Sequence, residues 1–225
     1  MNTQMSGDAS RPVPVFRPQA FEVATIEEAM RVTVTTEGEA TSKERWEKET
    51  PFLVNDISKW LPIDSNSCVL DYGCGVGRIS KGLIDKLGCR VIGVDASQSM
   101  RLLAPEYVVS ERFTVWSPQV LQKLAGKGFR ADFAISLWVI QHVLDPVQVI
   151  QAINMALRPG GLVYALNQTH RCVPTDRGWV NDGFDVCSGL RQVFKEEEFH
   201  SIPQSATSPR VAAISMIQIL RKPAV

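Results

Sequence analysis

The stretch SCVLDYGCGVGRIS, residues 67–80, leads from an apolar run through three glycines into a sequence rich in helix formers. The run CVLDYG predicts a buried strand, and RISKGLIDKLG predicts a helix that ends at Gly88. A glycine-rich turn between a strand and a helix lets the backbone approach a ligand closely, and N–H groups at the helix start can meet a carboxylate or a phosphate. The stretch therefore predicts a nucleotide-type ligand and leaves its identity open.

The spacing of the glycines and two nearby aspartates narrows the choice of ligand. A dinucleotide fingerprint reads G-x-G-x-x-G, whereas from Gly73 this chain reads G-x-G-x-G and has Arg78 at the place of the last glycine. Asp71, just before the turn, would repel a pyrophosphate and attract a cation. Asp95, which ends the second predicted strand, can accept hydrogen bonds from both hydroxyls of a ribose. Together these residues favour an adenosine ligand that carries a positive charge and no phosphates.

Outward from this stretch, predicted strands alternate with predicted helices. Further strands are expected at CRVIGVD, RFTVW, DFAISLWV and LVYALN, with helices between them. The alternation predicts an α/β fold: a Rossmann-like, mostly parallel sheet with helices on both faces, in which ligands bind beyond the carboxyl ends of the strands. The later chain is less regular. Residues 168–190 are rich in turns, VFKEEEF predicts a short helix with a solvated charged face, and AAISMIQIL predicts a last strand.

The sequence before the glycine turn predicts a separate N-terminal part. Its first residues are rich in proline and indicate a flexible arm. Thr41 begins a capping box that starts one helix, and Pro51 favours the start of a second helix. The predicted divisions of the chain are a flexible arm at 1–20, a helical cap at 21–62 and the main domain at 63–225.

Composition and charge limit the classes of function. The 225 residues are 44% apolar, enough for a full core, and 24 basic residues balance 24 acidic ones. A neutral chain offers no positive field to a nucleic acid or an anionic membrane, and no apolar run approaches the ~20 residues of a membrane span. Five cysteines without a C-x-x-C pair or zinc-ligand spacing indicate free thiols, no metal site and a reducing compartment. Since no secretory signal is present, we expect a cytoplasmic protein. We also expect a monomer or a homodimer.

Four stretches together resemble the class I S-adenosylmethionine-dependent methyltransferases. VLDYGCGVGRIS, VIGVDASQSM, DFAISLWVIQHVLDP and LRPGGLVYALN are similar to successive motifs of that family, in its order and at its spacing. The resemblance implies a seven-stranded sheet in the order 3-2-1-4-5-7-6, the last strand antiparallel, with S-adenosylmethionine as cofactor. It implies that Asp71 and the glycine turn hold the methionine part and that Asp95 holds the ribose. The cofactor-binding residues expected on this basis are Asp71, Gly73, Cys74, Gly75, Gly77, Asp95, Ala96, Trp116, Ser117 and Leu137.

The chain departs from the family pattern after the third strand. There the family usually has an aspartate that meets the adenine amino group, and this chain has Ser117. The serine hydroxyl can accept the same hydrogen bond, and Trp116 can stack on the adenine ring or flank it.

Candidates for the methyl-acceptor site follow the fourth and fifth strands. His142, in a Gln-His pair where many small-molecule members have Glu-His, is the candidate catalytic residue, able to take a proton from a hydroxyl or to position the acceptor. A lone histidine in such a loop is also often a satisfied polar residue. Trp138 either borders the methyl site, where an aromatic face favours a sulfonium cation, or belongs to the core. His170 lies in a loop that is either the place of acceptor recognition or an ordinary surface loop.

Three other residues are considered for the site: Arg45 and Trp46 each have two interpretations, and Asp132 has a structural one. Arg45 and Trp46 precede the glycine turn, on an element that in this family often closes over the cofactor; a plain surface pair is the alternative. Asp132 begins the fourth strand, at the sheet edge opposite to the ligand, and is assigned a structural role.

These observations predict an enzyme that moves the methyl group of S-adenosylmethionine to an oxygen or nitrogen of a small molecule and releases S-adenosylhomocysteine. An amine acceptor needs no base, whereas a hydroxyl acceptor would benefit from one such as His142. Two alternatives stay open. One is a methyltransferase that acts on a protein or a nucleic acid, and the other is a non-catalytic member that binds the cofactor.

Overall fold

The computed structural model of the chain describes residues 13–36 and 40–224. The part of the predicted N-terminal arm at 1–12 lies outside the described residues. The strands are β1 Cys68–Tyr72, β2 Arg90–Val94, β3 Phe113–Trp116, β4 Ala131–Leu137, β5 Leu157–Gln168, β6 Val173–Thr175, β7 Gly178–Val180, β8 Lys195–His200 and β9 Ser215–Arg221. The helices are a 3₁₀ turn at Pro18–Phe21, α1 Ile26–Thr33, α2 Ser42–Trp60, α3 Arg78–Leu87, α4 Gln98–Val108, α5 Pro118–Gly126, α6 Pro146–Ala156, α7 Val186–Arg191 and α8 Pro209–Ile214.

Seven of the strands form one sheet in the order β3-β2-β1-β4-β5-β9-β8. Strands β1 to β5 pair in parallel, and β9 is antiparallel to both β5 and β8. If the strands of the small β6–β7 hairpin are not counted, this is the predicted order 3-2-1-4-5-7-6 with an antiparallel last strand, so the predicted fold is confirmed. The strand order reverses between β1 and β4, so the loops after these two strands meet at the carboxyl edge of the sheet.

Helices cover both faces of the sheet. Val69 of β1 lies in a buried cluster with residues of α2 and α3, and the next residue, Leu70, lies in a second cluster with residues of α5, α6 and α7. Neighbouring strand residues point to opposite faces, and both are fully buried, as expected for a parallel sheet covered on two sides. The resulting rigid layers hold the loops at the carboxyl edge in place.

The predicted helix start at Pro51 is wrong, because α2 runs without interruption from Ser42 to Trp60. The capping box at Thr41 is confirmed, and it begins this single helix. Proline removes one backbone donor from a helix, but the buried residues Trp46, Leu53 and Ile57 continue one face across it. Packing of that face against the sheet outweighs the lost hydrogen bond.

The segment VFKEEEF does not form the predicted helix with a solvated face. Residues Lys195–His200 form β8, an edge strand whose residues alternate between exposed and half-buried. Arg221 of the neighbouring β9 contacts Glu197 at 2.5 Å, and Gln218 of β9 donates to Glu196 at 2.6 Å. Pairing with β9 and these contacts fix the strand, and its charged side chains keep the edge from pairing with other chains.

The turn-rich segment after β5 contains the β6–β7 hairpin and α7. The hairpin receives the N-terminal segment, because Arg17 donates its N–H to the carbonyl of Pro174 and Asp176 donates its N–H to the carbonyl of Val15, both at 2.9 Å. The 3₁₀ turn that follows Arg17 therefore lies beside the carboxyl edge of the sheet. The five cysteines are free thiols, as predicted. Across the described ranges, no helix combines the length and the apolar character needed to cross a membrane.

Candidate active site

The glycine turn after β1 is held against the loop after β4. Gly73 has a φ of +81°, a conformation that favours glycine, and a Cβ at this position would lie 2.1 Å from Cγ2 of Val139. The two loops therefore touch at a point where no side chain larger than hydrogen fits. This contact brings the predicted cofactor loop next to the predicted acceptor loop.

Four N–H groups of the turn are engaged within the chain, which differs from the expectation that they would meet a ligand. Gly73 and Cys74 both donate to the carbonyl of Val94, at 2.6 and 3.1 Å, and Gly77 donates to the carbonyl of Cys74 at 2.8 Å. Gly75 donates to the carboxylate of Asp95 at 2.8 Å. The turn is thus closed on the end of β2, and the carboxylates of Asp71 and Asp95 lie beside it as groups that can bind a ligand.

The side chain of Cys74 faces the interior. Its sulfur lies 2.8 Å from where a Cβ of Gly93 would be, and burial raises the pKa of the thiol well above its usual value. The thiol is therefore neutral and packs against β2. Any contact of Cys74 with a ligand would involve its backbone.

Asp71 is a buried carboxyl group in β1, just before the turn. It accepts a hydrogen bond of 2.6 Å from the hydroxyl of Ser80. Burial raises the pKa of Asp71 to about 7, the hydrogen bond from Ser80 opposes that rise, and the nearby charge of Asp95 adds to it. The structure thus brings together the two aspartates that the sequence singled out, and a cation beside them would relieve their repulsion.

Asp95 follows β2 and is half-buried. One carboxylate oxygen accepts from the N–H of Gly75, and the other accepts from the N–H of Ser97 at 2.9 Å. Burial raises the pKa of Asp95, and these two hydrogen bonds oppose the rise. Each oxygen keeps a second lone pair, so the carboxylate can still accept from two ribose hydroxyls. Ala96 beside it is exposed, and its carbonyl accepts from Arg101.

The residues expected near adenine lie at the ends of β3 and β4. Trp116 is half-buried, and its ring contacts the edge of Phe129 at a centroid distance of 5.1 Å. The hydroxyl of Ser117 caps α5 by accepting from the N–H of Val120 at 3.3 Å. Leu137 is the half-buried last residue of β4. Ser117 thus has a structural role as a helix cap, and its role toward adenine stays a prediction.

A cavity of about 470 Å³ opens beside the glycine turn. One wall is α1, where Thr33 places its hydroxyl oxygen 3.6 Å from the Cβ position of Gly75. The opposite wall is the loop after β4, with Trp138 and His142. Its lining residues are Ala20, Phe21, Arg31, Val32, Thr33, Thr35, Arg45, Trp138, Gln141, His142, Gln168, Cys172, Trp179, Arg210, Val211 and Ile214.

Hydrogen bonds fix the protonation of His142 in this cavity. Its Nδ1 lies 2.7 Å from the carbonyl of Cys172, which can only accept, so Nδ1 carries the proton. The N–H of Gln168 donates to the side-chain oxygen of Gln141 at 2.7 Å, which turns the amide nitrogen of Gln141 toward Nε2 of His142, 3.1 Å away. Burial lowers the pKa of His142, against the carbonyl bond that raises it. The ring is therefore neutral at pH 7, with its lone pair on Nε2.

Trp138 has a left-handed backbone, with a φ of +61°. This conformation is costly for a bulky residue, and such strain tends to occur at functional sites. The N–H of Trp138 donates to the carbonyl of Leu166 at 2.7 Å, which holds the loop in place. Trp138 lines the cavity, which is compatible with the interpretation that it borders the methyl site. His170, by contrast, is exposed and is not among the lining residues.

Sequence reasoning missed the wall formed by α1 and the 3₁₀ turn. A signal was present, because Thr25 and Glu28 have the spacing of a capping box. The hydroxyl of Thr25 accepts from the N–H of Glu28 at 3.2 Å, and the carboxylate of Glu28 accepts from the N–H of Ala24, one residue before Thr25, at 2.7 Å. Phe21 could not have been found in this way. It reaches the cavity only through the pairing of the N-terminal segment with the hairpin.

Arg45 and Trp46 are buried, so neither forms a surface pair. Arg45 donates to Glu49 at 2.8 Å and to the carbonyl of Thr35 at 2.5 Å. Glu49 also lies 3.8 Å from Arg78, the first residue of α3, whose guanidinium sits 4.9 Å over the ring of Trp46. Burial lowers the pKa of Arg78 to about 10, against the charge of Glu49 that raises it. This charged cluster joins α2 to the helix that follows the glycine turn.

Arg171 is a fully buried clamp between the loops that bear the cavity residues. It donates to the carbonyl of Ile140 at 2.6 Å and to that of Val143 at 2.7 Å, on either side of His142. It also binds both carboxylate oxygens of Asp182, in the loop after the hairpin, at 3.0 and 2.8 Å.

Asp132, at the other edge of the sheet, accepts from the N–H of Cys68 at 2.8 Å.

The profile of a family described as a methyltransferase domain matches residues 43–206. The match covers more than half of the chain, including the glycine turn and the loop after β4 that borders the cavity. The chain therefore belongs to the methyltransferase-domain family, and the order of its sheet puts it among the class I S-adenosylmethionine-dependent methyltransferases that its motifs indicated.

Curated relatives are similar over part of their length. A ubiquinone biosynthesis O-methyltransferase from Methylobacterium sp. is 32% identical over 106 residues, which are 46% of this chain and 42% of the relative. Another from Cereibacter sphaeroides is 33% identical over 109 residues, 48% of this chain and 43% of the relative. The matched part spans less than half of each relative.

Solved structures share the fold. The N-methyltransferase NodS from Bradyrhizobium japonicum, solved with S-adenosyl-l-homocysteine, is 16% identical with a TM-score of 0.61, covering 87% of this chain and 97% of NodS. The [4+2]-cyclase SpnF is 17% identical with a TM-score of 0.62, covering 85% of this chain and 86% of SpnF. At these identities the likeness concerns the fold alone.

Proposed function

We propose that this protein transfers the methyl group of S-adenosylmethionine to an oxygen or nitrogen of a small molecule and releases S-adenosylhomocysteine. The observation that carries the proposal is that the glycine turn contacts two elements that border the cavity, the loop after β4 and α1. Gly73 touches Val139 of the cavity loop, and Gly75 adjoins Thr33 of the cavity wall. A cofactor on the turn would therefore present its reactive end to a molecule in the cavity.

The two aspartates fit a cationic cofactor. Burial raises the pKa of both carboxyl groups, and the charge of Asp95 raises that of Asp71 further. A positively charged amino-acid tail would stabilise their charged forms, whereas a pyrophosphate would add to the repulsion. In this proposal Asp71 acts at the methionine end, and Asp95 uses its remaining lone pairs at the ribose. S-adenosylmethionine, when bound, supplies the electrophilic methyl group.

His142 and its neighbours supply the chemistry of the acceptor side. Nε2 of His142 accepts from the amide of Gln141, and an acceptor hydroxyl would replace that amide as the donor. Nε2 would then receive the hydroxyl proton as the oxygen attacks. Trp138 borders the site, and binding of the acceptor in the cavity would align the reactants. An amine acceptor would use the same cavity without the base.

The acceptor is proposed to be a small molecule and not a macromolecule. A cavity of about 470 Å³ lies within the range of roughly 300–1,000 Å³ that holds small ligands. The net charge of zero gives no attraction to a nucleic acid. We also propose that the chain is divided at residues 20 and 62, with α1 and α2 forming a cap over the main domain. The protein is proposed to be a monomer or a homodimer, and light scattering measures which.

A second candidate is a member of the fold that does not transfer methyl groups. The observation in its favour is that a [4+2]-cyclase shares the fold over most of this chain. The same cavity could then serve a different reaction or binding role.

Calorimetry with S-adenosylmethionine, S-adenosylhomocysteine and NAD is the first test. We expect micromolar binding of both sulfur ligands and none of NAD, and a preference for NAD would refute the proposal. Labelled methyl transfer to cell extracts separated by size then distinguishes the candidates. Label in small molecules supports the proposal, label in protein or nucleic acid contradicts the acceptor class, and no label favours the second candidate.

A further inference from the structure

The cavity beside the glycine turn has a one-sided charge. Arg31 from α1, Arg45 from α2 and Arg210 from α8 line it, and no aspartate or glutamate is found among its described lining residues. A cationic amine in this cavity would therefore meet guanidinium groups and, among the described lining residues, no carboxylate. A ligand with a negatively charged group could be bound by one of these arginines if its own partner is easily replaced.

Arg45 and Arg31 differ in how tightly each is held by its carboxylate partner. Glu49 is fully buried and holds Arg45 at 2.8 Å, so the charge of Arg45 is largely balanced. Arg31 is different, because its side chain is 66% exposed and its contact with Glu27, at 3.6 Å, is between two exposed groups. Exposed pairs of this kind contribute little to stability. Arg31 can therefore exchange Glu27 for a charged group of a ligand at small cost.

The shape of the cavity is set by an aromatic wall. The rings of Phe21, His142 and Trp179 contact one another, with centroid distances of 5.5 Å for Phe21 and His142, 6.0 Å for Phe21 and Trp179, and 5.4 Å for His142 and Trp179. All three line the cavity, yet Trp179 remains 57% exposed. An exposed tryptophan beside two further rings favours a flat ring as the ligand.

We propose that the methyl acceptor is a planar ring compound that carries a negatively charged group, which Arg31 recognises while Trp179 and Phe21 contact the ring. The inference rests on the proposed function and names the class of its acceptor. It selects among the acceptors that the proposed function leaves open, since a positively charged amine is the class that this lining disfavours.

A set of matched compounds tests the charge. We would titrate 3,4-dihydroxybenzoate, 3,4-dihydroxybenzyl alcohol and 3,4-dihydroxybenzylamine, and the same three groups on a naphthalene ring, into the protein by calorimetry with and without S-adenosylhomocysteine. The carboxylates should bind about tenfold more tightly than the alcohols, and the amines should bind least. Amines that bind as tightly as carboxylates, or no binding by any ring compound, would overturn the inference. If S-adenosylhomocysteine itself does not bind, the proposed function fails, while the titrations without it still test the cavity.

Variants at the cavity mouth separate charge from shape. Arg31→Gln should weaken the carboxylates about five- to tenfold and leave the alcohols unchanged, and Arg31→Lys should retain most of the affinity. Trp179→Ala should weaken carboxylates and alcohols alike. Arg177→Gln is the matched control for Arg31→Gln. Arg177 is an exposed arginine in the β6–β7 hairpin that also bears Trp179, and it is not among the lining residues. All variants should bind S-adenosylhomocysteine equally, and an equal loss of carboxylate and alcohol in Arg31→Gln would contradict the role of its charge.

Discussion

The carboxylate of Asp95 accepts a hydrogen bond of 2.8 Å from the backbone N–H of Gly75, so the end of β2 is joined directly to the glycine turn. The same carboxylate accepts from Ser97 and keeps lone pairs for a ligand. One side chain thus shapes the turn and faces the place proposed for the ribose.

Asp95→Asn should weaken binding of S-adenosylhomocysteine about 10- to 100-fold, because hydrogen bonds to a charged group contribute about 1.5–3 kcal/mol. Calorimetry measures the effect. Asp132→Asn is the control, since Asp132 also accepts a backbone hydrogen bond of 2.8 Å but lies at the opposite edge of the sheet. An equal loss of binding in both variants would refute a direct role of Asp95.

The raised pKa of Asp71 makes cofactor binding depend on pH. The pKa of the Asp71 carboxyl group is about 7 in the folded chain, against an ordinary value near 4 in the unfolded chain. Between these two values the folded chain keeps the proton that the unfolded chain has lost, so the free energy of unfolding falls as the pH rises. A cationic cofactor favours the ionised form. Affinity for S-adenosylhomocysteine should therefore increase from about pH 5.5 to about pH 7, with a proton released on binding, while the cofactor's own amino group stays protonated. Calorimetry in buffers of different ionisation enthalpy measures the release, and Asp71→Asn should abolish it.

His142→Asn tests the base. The asparagine amide can still donate to the carbonyl of Cys172, but it offers no basic nitrogen. For a hydroxyl acceptor, kcat should fall about 10²- to 10⁴-fold while cofactor affinity stays unchanged. In the wild type the lowered pKa of His142 should keep the rate constant until the pH falls below the ordinary value near 6.5. His170→Asn, at an exposed position, should have wild-type kinetics, and a similar loss there would indicate a structural effect.

Gly73→Ala tests the contact between the two loops. The added Cβ would lie 2.1 Å from Val139, and the positive φ adds strain, so we expect a loss of stability of about 2–4 kcal/mol together with weaker cofactor binding. Combining it with Val139→Ala should restore part of the stability, because the two closest methyl carbons are removed while the Cβ of residue 139 stays 2.9 Å from the added carbon and the φ strain remains. Denaturant unfolding measures both. If the double variant is no more stable than the sum of the two single changes, the loops do not meet at this point.

Arg171→Met should destabilise the protein by about 2–5 kcal/mol, because the carbonyls of Ile140 and Val143 each lose a donor, at about 1–3 kcal/mol apiece, while Asp182 is exposed enough to be solvated. Arg191→Met is the comparison, as Arg191 forms an exposed pair with Glu196 and should change stability by under about 1 kcal/mol. Thermal unfolding of the two variants measures the difference. A small loss in Arg171→Met would show that the loops keep their positions without this clamp.

Local patterns in the sequence were sufficient to predict the alternating strands and helices, the glycine turn and the two aspartates, whereas the order of the strands was implied by the family resemblance. Asp71 and Asp95 could be placed together because parallel strands end at one edge of the sheet. The buried position of Arg171 could not be predicted, because its partners come from separate loops that meet only in the folded chain. Pro51 and the β8 segment were misjudged for a related reason, since local propensity favoured a helix boundary and a helix until packing and strand pairing outweighed it.

The position of β9 affects how the chain is assembled during synthesis. Strands β2 to β5 each pair with a strand made earlier, but β8 has no neighbour in the sheet until residues 215–221 of β9 enter the gap between it and β5. Until then β5 is an open edge, and Leu162–Leu166 along it are buried in the finished sheet. A ribosome-bound chain that stops before β9 would therefore expose an apolar edge able to pair with other chains.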